Sequence, residues 1–500
     1  MKKTGLFILL LFSKLTFAQD GVLDMSFGTN GRVTFSQNSI YFNNVDSNGK
    51  IVYMNGPEIR RLNQNGSFDT AFGNAGVISM AAQPGTFRYR TLFHDNKVYT
   101  FSSDNPVSYQ PTYSMGRYNL DGTLDVTLGG TGYVTLNHGD IESGIHTKIS
   151  KDNKIIIAGN DDTAYGNYND IIVRRYSLDG VFDPTLNYSA ANIGVTLTTS
   201  SNGLPSSDSP TGIYELSTGK VVVPGIAITD EFQGALVLIT PNTSNSNSIS
   251  VIMNSYYSPY YVKSSIAVGS NDNIYTITGR SRAYGSIADV INRIEKRNSN
   301  GGLIYSHPVS IDFSTKKADF QKIVVQPDGK IILAGVTFTN NTIGNFPELI
   351  VARYLDDGTL DTTFGNGGYV LHTINSGSTT HNLREIFLSP DGSVYICGND
   401  QNSSIVLKYN NNATLGTADE NLRSKNLTVY PNPVKDVLNL SYDKKISTIS
   451  IYNLVGQEVL TKSINDVKGS VDVSGLGSGN YVVKVNTVDN TVKTVKIIKQ

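Results

Sequence analysis

Tryptophan is absent from these 500 residues, cysteine occurs once, histidine six times, and only 17% of positions are charged. One cysteine excludes an intramolecular disulfide. Cys397 lies in the run Val394-Tyr395-Ile396-Cys397-Gly398, where strand alternation buries it. A catalytic thiol needs a histidine or a helix N-terminus to lower its pKa, so a buried, inert cysteine is expected. The histidines are too few and scattered for a metal centre. His138 and His146, and His372 and His381, flank two loops and read as solvated residues, so no metal and no cofactor is expected. HExxH, GxSxG, a Walker phosphate loop and CxxC are all missing, which removes the catalytic classes that announce themselves locally.

Long apolar runs are missing too. The only strong one, Leu6 to Phe12, follows Lys2 and Lys3 and precedes Thr16-Phe17-Ala18, which fits a secretory signal over residues 1–18 cleaved between Ala18 and Gln19. It is shorter than the roughly 18 residues a spanning helix needs, so no transmembrane helix is expected. No cysteine follows the signal to carry a lipid anchor. The formal net charge is −1, but residues 424–500 carry ten Lys and Arg against six Asp and Glu, and the leader carries three lysines, leaving −8 on residues 19–423. An acidic body without basic clusters among aromatics disfavours nucleic acid.

What is present is Gly (47), Tyr (28) and much Asn, Ser and Thr, the composition of an exported β protein. The phrase LDxxFGxxG starts its aspartate at Asp24, Asp69, Asp125, Asp183 and Asp361, at gaps of 45, 56, 58 and 178 residues, so two worn copies are expected in the last gap. A second phrase, a turn dipeptide followed by an apolar run, occurs seven times: at 47–54, 94–101, 151–159, 217–225, 271–279, 327–335 and 390–398. Asn-Gly, Asp-Asn and Asp-Gly suit two-residue hairpins, so each phrase marks two strands. A third strand follows each time (EIRRLN, MGRYNL, IVRRYSL, LVLIT, VINRIEK, IVARYL, IVLKYN), then LDxxFGxxG and a fourth strand.

Four antiparallel strands repeated seven times give a seven-bladed β-propeller over residues 19–412. Within the phrase, Asp accepts local N–H bonds in an Asx-turn, and the flanking Leu and Phe tuck between blades. Gly28, Gly73, Gly129 and Gly365 permit left-handed backbone. Asn187 replaces that glycine in the fourth copy, a mild departure. The seventh blade lacks the phrase, whereas the chain after the leader opens with an orphan copy, Gly21 to Phe35, so the N-terminal segment is expected to complete blade seven.

The run RYLDDGTLDTTFGNGGYV at 353–370 resembles the delta-60 repeat of bacterial secreted propellers, a resemblance that covers about 20–412 and implies the fold but no reaction. Residues 413–424 read as a linker. From 425 to 500, short alternating strands predict a small Ig-like β-sandwich, so the fold class is all-β throughout. Tyr430-Pro431-Asn432-Pro433, Ile451-Tyr452-Asn453 leading to Gly456, and Gly479-Asn480-Tyr481 before a last strand with Lys493, Lys496 and Lys499 resemble the type A C-terminal sorting domain of the type IX secretion system. The resemblance implies the Sec and type IX machineries as partners, passage across a Gram-negative outer membrane, and removal of the tail at the linker. The prolines are expected to end pairing at the domain entrance, Gly456 and Gly479 to sit in tight turns, and the lysine-bearing last strand to be an exposed edge.

Function is expected to reside in inserts between strands at 101–113, 160–170, 200–211, 254–262 and 338–348, whose Tyr, Asn and Ser content suits surface recognition. The string NDDTAYGNYND (160–170) lacks the spacing of a calcium loop and reads as a polar turn. Tyr256, Tyr257, Tyr260 and Tyr261 are the candidate ligand contacts. Two classes follow: a surface-displayed or secreted, non-enzymatic binding or adhesion propeller for an extracellular glycan or protein, which is favoured, or a glycan- or peptide-processing enzyme with carboxylates at the channel, which leaves no local motif.

Overall fold

The computed structural model describes residues 20–46, 48–80, 83, 87–103, 113–136, 143–164, 168–189, 207–228, 232–241, 248–258, 265–279, 292–309, 311, 313, 316–339, 348–374, 381–410, 428–432, 434–453, 457–488 and 492–500. Every element among them is a strand. The chain divides into two compact units, Met1–Ala413 and Thr414–Gln500. No helix among the described residues is long and apolar enough to cross a membrane.

Seven antiparallel sheets form the first unit. Blade one is Tyr41–Val45, Ile51–Asn55, Glu58–Leu62 and Val77–Ser79; blade two is Phe87–His94, Lys97–Ser103, Tyr113–Asn119 and Tyr133–Thr135. Blade three is Ser143–Ile149, Ile155–Ala164, Tyr168–Tyr176 and Phe182–Ser189. Blade four splits its first strand into Ser207–Pro210 and Tyr214–Glu215, followed by Val221–Ile228, Phe232–Thr240 and Ser248–Ser258. Blade five is Ser265–Val268, Ile274–Thr278, Arg293–Arg297 and Leu303–Pro308; blade six is Lys316–Val325, Ile331–Thr339, Leu349–Tyr354 and Tyr369–His372. Blade seven has only Asn382–Leu388, Val394–Asn399 and Ser404–Asn410 from its own stretch of chain. Its fourth strand is Arg32–Phe35, paired Arg32 to Leu407 through Phe35 to Ser404, with Val22–Leu23 pairing on the same strand.

The first strands of neighbouring blades lie side by side, as the 2.9 Å bond from Asn43 Nδ2 to Thr91 Oγ1 illustrates for blades one and two. The first strand is therefore innermost and the fourth outermost. Apolar side chains of the second and third strands alternate between the two faces of each blade, and each of the seven blade junctions holds its own buried cluster. Cys397 is fully buried in the cluster between blades seven and one, and burial pushes its thiol up, as an inert core residue requires.

Most first-to-second-strand turns are not two-residue turns. Only Asp95-Asn96 places both residues left-handed, at φ 45° and 59°. The other six use three-residue loops with a single left-handed residue, Gly49, Asn153, Gly219, Asp272, Gly329 or Gly392, and a bond from the residue before the loop to the one after it, as Asp46 N to Lys50 O at 2.8 Å. A type I turn followed by one left-handed residue matches strand twist equally well, and Asn-Gly or Asp-Gly at its end serves both geometries. Asn187 is a further departure from expectation, since it lies inside the strand Phe182–Ser189 and not in a left-handed turn.

In the second unit, Val437–Tyr452 is a bent strand. Its first half pairs with Thr428–Tyr430 and its second half with Gly479–Thr487, while Glu458–Asp472 runs beside both halves. Val492–Lys499 adds to Gly479–Thr487, and the two layers enclose one core that includes Val434, Leu440, Ile449 and Ile497. Tyr430 ends its strand and Pro431 and Asn432 follow outside it, whereas Pro433 and Gly456 lie outside the described residues. Gly479 opens a strand opposite Lys499 and is not in a tight turn. Lys499 is buried, not exposed, because Val434 bridges to it and Gln500 N donates to Val434 O at 2.9 Å. Lys496 lies opposite Val482, and Tyr481 donates from its hydroxyl to Gly477 O at 2.9 Å.

Candidate functional site

In a four-stranded antiparallel blade, the first-to-second and third-to-fourth turns leave from one face of the ring, and the remaining connections leave from the other. The first, or turn face, is built by the repeated phrases. In blades one, two, three and six a lysine after the first hairpin and an arginine on the third strand converge on the aspartate of LDxxFG, and the arginine always precedes that aspartate by eight residues. Asp69 Oδ2 accepts from Lys50 Nζ at 2.7 Å and Arg61 Nε at 2.8 Å; Asp125 from Lys97 at 2.9 Å and Arg117 at 2.8 Å. Asp183 is met by Lys154 and by Arg175 at 3.0 Å, and Asp361 by Arg353 at 2.8 Å and Lys330 at 3.6 Å.

Each arginine also reaches a second carboxylate, so two cations face two anions. These are Asp46 at 3.0 Å, Asp179 at 2.7 Å, Asp152 at 3.5 Å and Asp20 at 2.6 Å. In blade seven the N-terminal segment supplies the anion, Asp24, which binds Lys408 at 3.0 Å. The expected Asx-turn coexists with these pairs, because the other carboxylate oxygen accepts the N–H two residues on, from Ser26, Thr127, Thr185 and Thr363. Sequence reading found the aspartates but missed their cations. The constant spacing of eight was the available signal.

The residue three after the aspartate, Phe27, Phe72, Leu128, Leu186 or Phe364, is fully buried, whereas the one before it is not: Phe68 is 56% exposed. Arg61 and Arg353 stack over Phe72 and Phe364, at 4.6 and 4.9 Å. The following glycine stitches blades together: Gly28 N donates to Asn65 O and Gly73 N to Leu120 O, each at 2.7 Å. At φ 55° and 63°, a Cβ on either would come within 2.1 and 2.2 Å of the Arg32 and Val77 carbonyls. Gly129 and Gly365 repeat the geometry at φ 58° and 54°. Blades four and five lack the aspartate. At the register of the arginine, blade four has buried Leu238, and blade five has Lys296, which turns to Asp356 of blade six at 2.7 Å.

These carboxylates are expected to make the fold acid-sensitive. Burial works to raise Asp69, Asp183 and Asp361, and hydrogen bonds and ion pairs overcome it and hold all three low; the Thr127 hydroxyl and Lys97 hold Asp125 far below the usual range. A depressed folded-state pKa contributes stability that is present above the unfolded value, about 4, and is lost as pH falls toward the folded value. His372 adds an earlier loss with the same sign, because burial lowers it to about 4. Thermal melts between pH 7 and 2.5 are expected to decline gently from pH 6.5 and steeply below pH 4; a melting temperature unchanged at pH 3 would contradict the clusters' role.

The strand ends that flank the longer connections, including those on either side of all five inserts, lie on the second, or insert, face. Two inserts are largely strand extensions among the described residues. Residues 160–164 and 168–170 continue the hairpin of blade three, so that string is not a polar turn, and Ser248–Ser258 carries Tyr256 and Tyr257 in the outer strand of blade four, Tyr257 opposite Gln233. Tyr260 and Tyr261 lie outside the described residues, as does His138. The other histidines are not solvated loop residues: His146 is on the inner strand of blade three, His372 ends the outer strand of blade six, and His381 is fully buried. The strands extend further into these connections than the polar sequence suggested. At the inner strands, Glu385 of blade seven is held by Lys322 of blade six at 3.2 Å. Among the described residues no group of three or more His, Cys, Asp or Glu is arranged to hold a metal ion.

Comparison with known proteins gives two family matches. Residues 428–500 match the secretion system C-terminal sorting domain, and residues 151–186 and 326–364, in blades three and six, match a β-propeller domain of unknown function, DUF5122. No curated protein matches the chain. Among solved structures it is similar to PorZ, a surface component of the type IX secretion system of Porphyromonas gingivalis, with 12% identity, TM-score 0.32, and coverage of 91% of this chain and 64% of that one. The chain thus spans less than two thirds of PorZ. It is also similar to a gluconolactonase from Xanthomonas campestris (9% identity, TM-score 0.35, 76% and 89% covered) and to Drosophila Semaphorin 2a (9%, 0.39, 97% and 99%).

Proposed function

For a chain that carries a type IX C-terminal sorting domain behind a β-propeller, and is thereby exported to the cell surface or the medium, we propose that the propeller is a non-enzymatic recognition module that binds an extracellular glycan or protein through its insert face. One observation carries this reading: the repeats commit the turn face to ion-pair clusters and tight turns, so the longer connections gather on the opposite face. Variation confined to one rim of a rigid scaffold is what recognition by many small contacts requires. Tyr256, Tyr257, Tyr260 and Tyr261 are the proposed contacts, because a tyrosine offers stacking area and a hydroxyl at low conformational cost. Catalysis by channel carboxylates has less support, since Glu385 is already neutralised by Lys322. The reading includes signal cleavage after Ala18, propeller boundaries at 19–412, and tail removal within 413–424.

A screen of the purified chain against glycan and cell-wall arrays, with ligand mass measured alongside, is expected to give saturable binding without change in mass. Substituting Tyr256 and Tyr257 together by Ala is expected to weaken it at least about tenfold on the scale of stacked aromatic contacts. Turnover of any ligand would replace the recognition module with an enzyme.

A further inference from the structure

The inner strand of blade seven contains a bulge at the insert-face end of the channel. Leu383 pairs with Gly398 and Glu385 with Cys397, so Arg384 is inserted with no residue opposite it. A bulge of this kind re-aims a side chain out of the blade-to-blade packing. Arg384 is exposed, yet its direction is fixed: Nε donates to Asn399 Oδ1 at 2.7 Å, and Asn399, itself buried, donates onward to Asn38 O at 3.2 Å. Each arginine of the turn-face clusters faces two carboxylates, whereas the two terminal amino groups of Arg384 meet no carboxylate among the described residues.

The adjacent inner strand, in blade one, begins with Tyr41, which is 68% exposed and sits at the same height as the bulge, since Tyr41 and Glu385 both pair with the fourth residue of their second strands. On the other side, blade six has the same bulge with Gln321 inserted. An oriented guanidinium, an exposed aromatic side chain and a carboxamide, whose amino group donates to Asp319 Oδ2 at 3.4 Å, thus lie at one height on three consecutive inner strands of the ring.

We propose that Arg384, Tyr41 and Gln321 form a subsite for an acidic sugar, with the guanidinium fork taking the carboxylate of a uronic acid and the Tyr41 ring lying on the sugar face. The fork matches a planar carboxylate in two parallel bonds, and its orientation by Asn399 removes part of the ordering cost. An acidic peptide shares the carboxylate but offers no flat ring face to Tyr41, and it is the competing outcome of the test. The proposal rests on the insert face being the recognition face and names one ligand class for it.

The test is titration of the full chain with trigalacturonate, its methyl ester and a triglutamate peptide, for the unmodified protein, Arg384→Gln and Tyr41→Ala, with thermal melts to verify folding. Trigalacturonate is expected to bind with a salt-dependent affinity. Arg384→Gln is expected to weaken it at least about tenfold and flatten the salt dependence, in line with losing hydrogen bonds to a charged group. Tyr41→Ala is expected to weaken both sugars. No binding of trigalacturonate, indifference to Arg384→Gln, or tighter binding of triglutamate would each overturn the proposal. Array binding of neutral glycans that depends on the insert face would survive such a result, so the two readings fail separately.

Discussion

A chain lacking Asp20 to Phe35 is expected to lose cooperative folding at 37 °C or to melt more than about 15 °C lower. That segment touches three blades. Arg32–Phe35 is the outer strand of blade seven, Asp20 O accepts from Gly365 N of blade six at 2.9 Å, and Gly28 N donates to Asn65 O of blade one. Its side chains are equally committed. Phe27 is fully buried against Tyr395, ring centroids 5.6 Å apart, and Phe35 lies 5.0 Å from Tyr53 across the junction to blade one. Removing a buried phenylalanine side chain costs about 3–5 kcal/mol, so two of them account for about 6–10 kcal/mol before the ion pairs Asp20–Arg353 and Asp24–Lys408 are counted. Domains are stable by about 5–15 kcal/mol, and the deletion removes most of that. It also bares the edge of Ser404–Asn410, which invites pairing between molecules. Melting by near-ultraviolet circular dichroism and size-exclusion chromatography are the measurements. A synthetic peptide of residues 20–35 added in trans is expected to restore part of the melt, and an unchanged melting temperature would remove the segment from the ring.

Asp361→Ala is the second large effect. Arg353 is fully buried, and losing Asp361 leaves it with Asp20 as its remaining carboxylate, a change that costs about 3–5 kcal/mol when a buried ion pair is broken from one side. Blade four suggests the remedy, because Leu238 holds the register of Arg353 in an apolar setting. The double variant Arg353→Leu with Asp361→Ala is therefore expected to be more stable than Asp361→Ala alone, by about 2 kcal/mol, since no buried charge is left uncompensated. The half-buried pair Arg60–Glu58 serves as the control, and Glu58→Ala is expected to cost under about 1 kcal/mol. Urea midpoints report all four proteins, and a double variant less stable than the single one would overturn the argument.

The seven blades were legible because each carries two independent signals, a turn phrase with an apolar run and a third strand, and both reach seven even where LDxxFG has faded. The reason for the fading became visible only in three dimensions: blades four and five have dropped the aspartate and, with it, the need for the buried arginine. Blade seven lacks the phrase and the segment Gly21 to Phe35 carries an orphan copy of it, which is why that segment was expected in blade seven, where Arg32–Phe35 lies. Turn type did not read as well, because Asn-Gly and Asp-Gly satisfy both two-residue and three-residue loops. The proposed recognition face was partly legible as insert positions. Arg384 and Tyr41 were not, since they lie 343 residues apart in sequence and come onto neighbouring inner strands only because blade seven closes on blade one.

That closure also fixes an order of events. Strand Arg32–Phe35 has no partner until Ser404–Asn410 has emerged, some 370 residues later. An elongating or translocating chain therefore passes through an open arc of up to six complete blades, each built from local contacts, and the one long-range pairing comes last. The entropic cost of closing so long a loop grows only as the logarithm of its length, but the search it imposes slows the final step. Until then the first-made segment, with Phe27 and Phe35 exposed, remains available to whatever escorts the chain across the envelope. The propeller is complete only when almost the whole of it has arrived on the same side of the membrane.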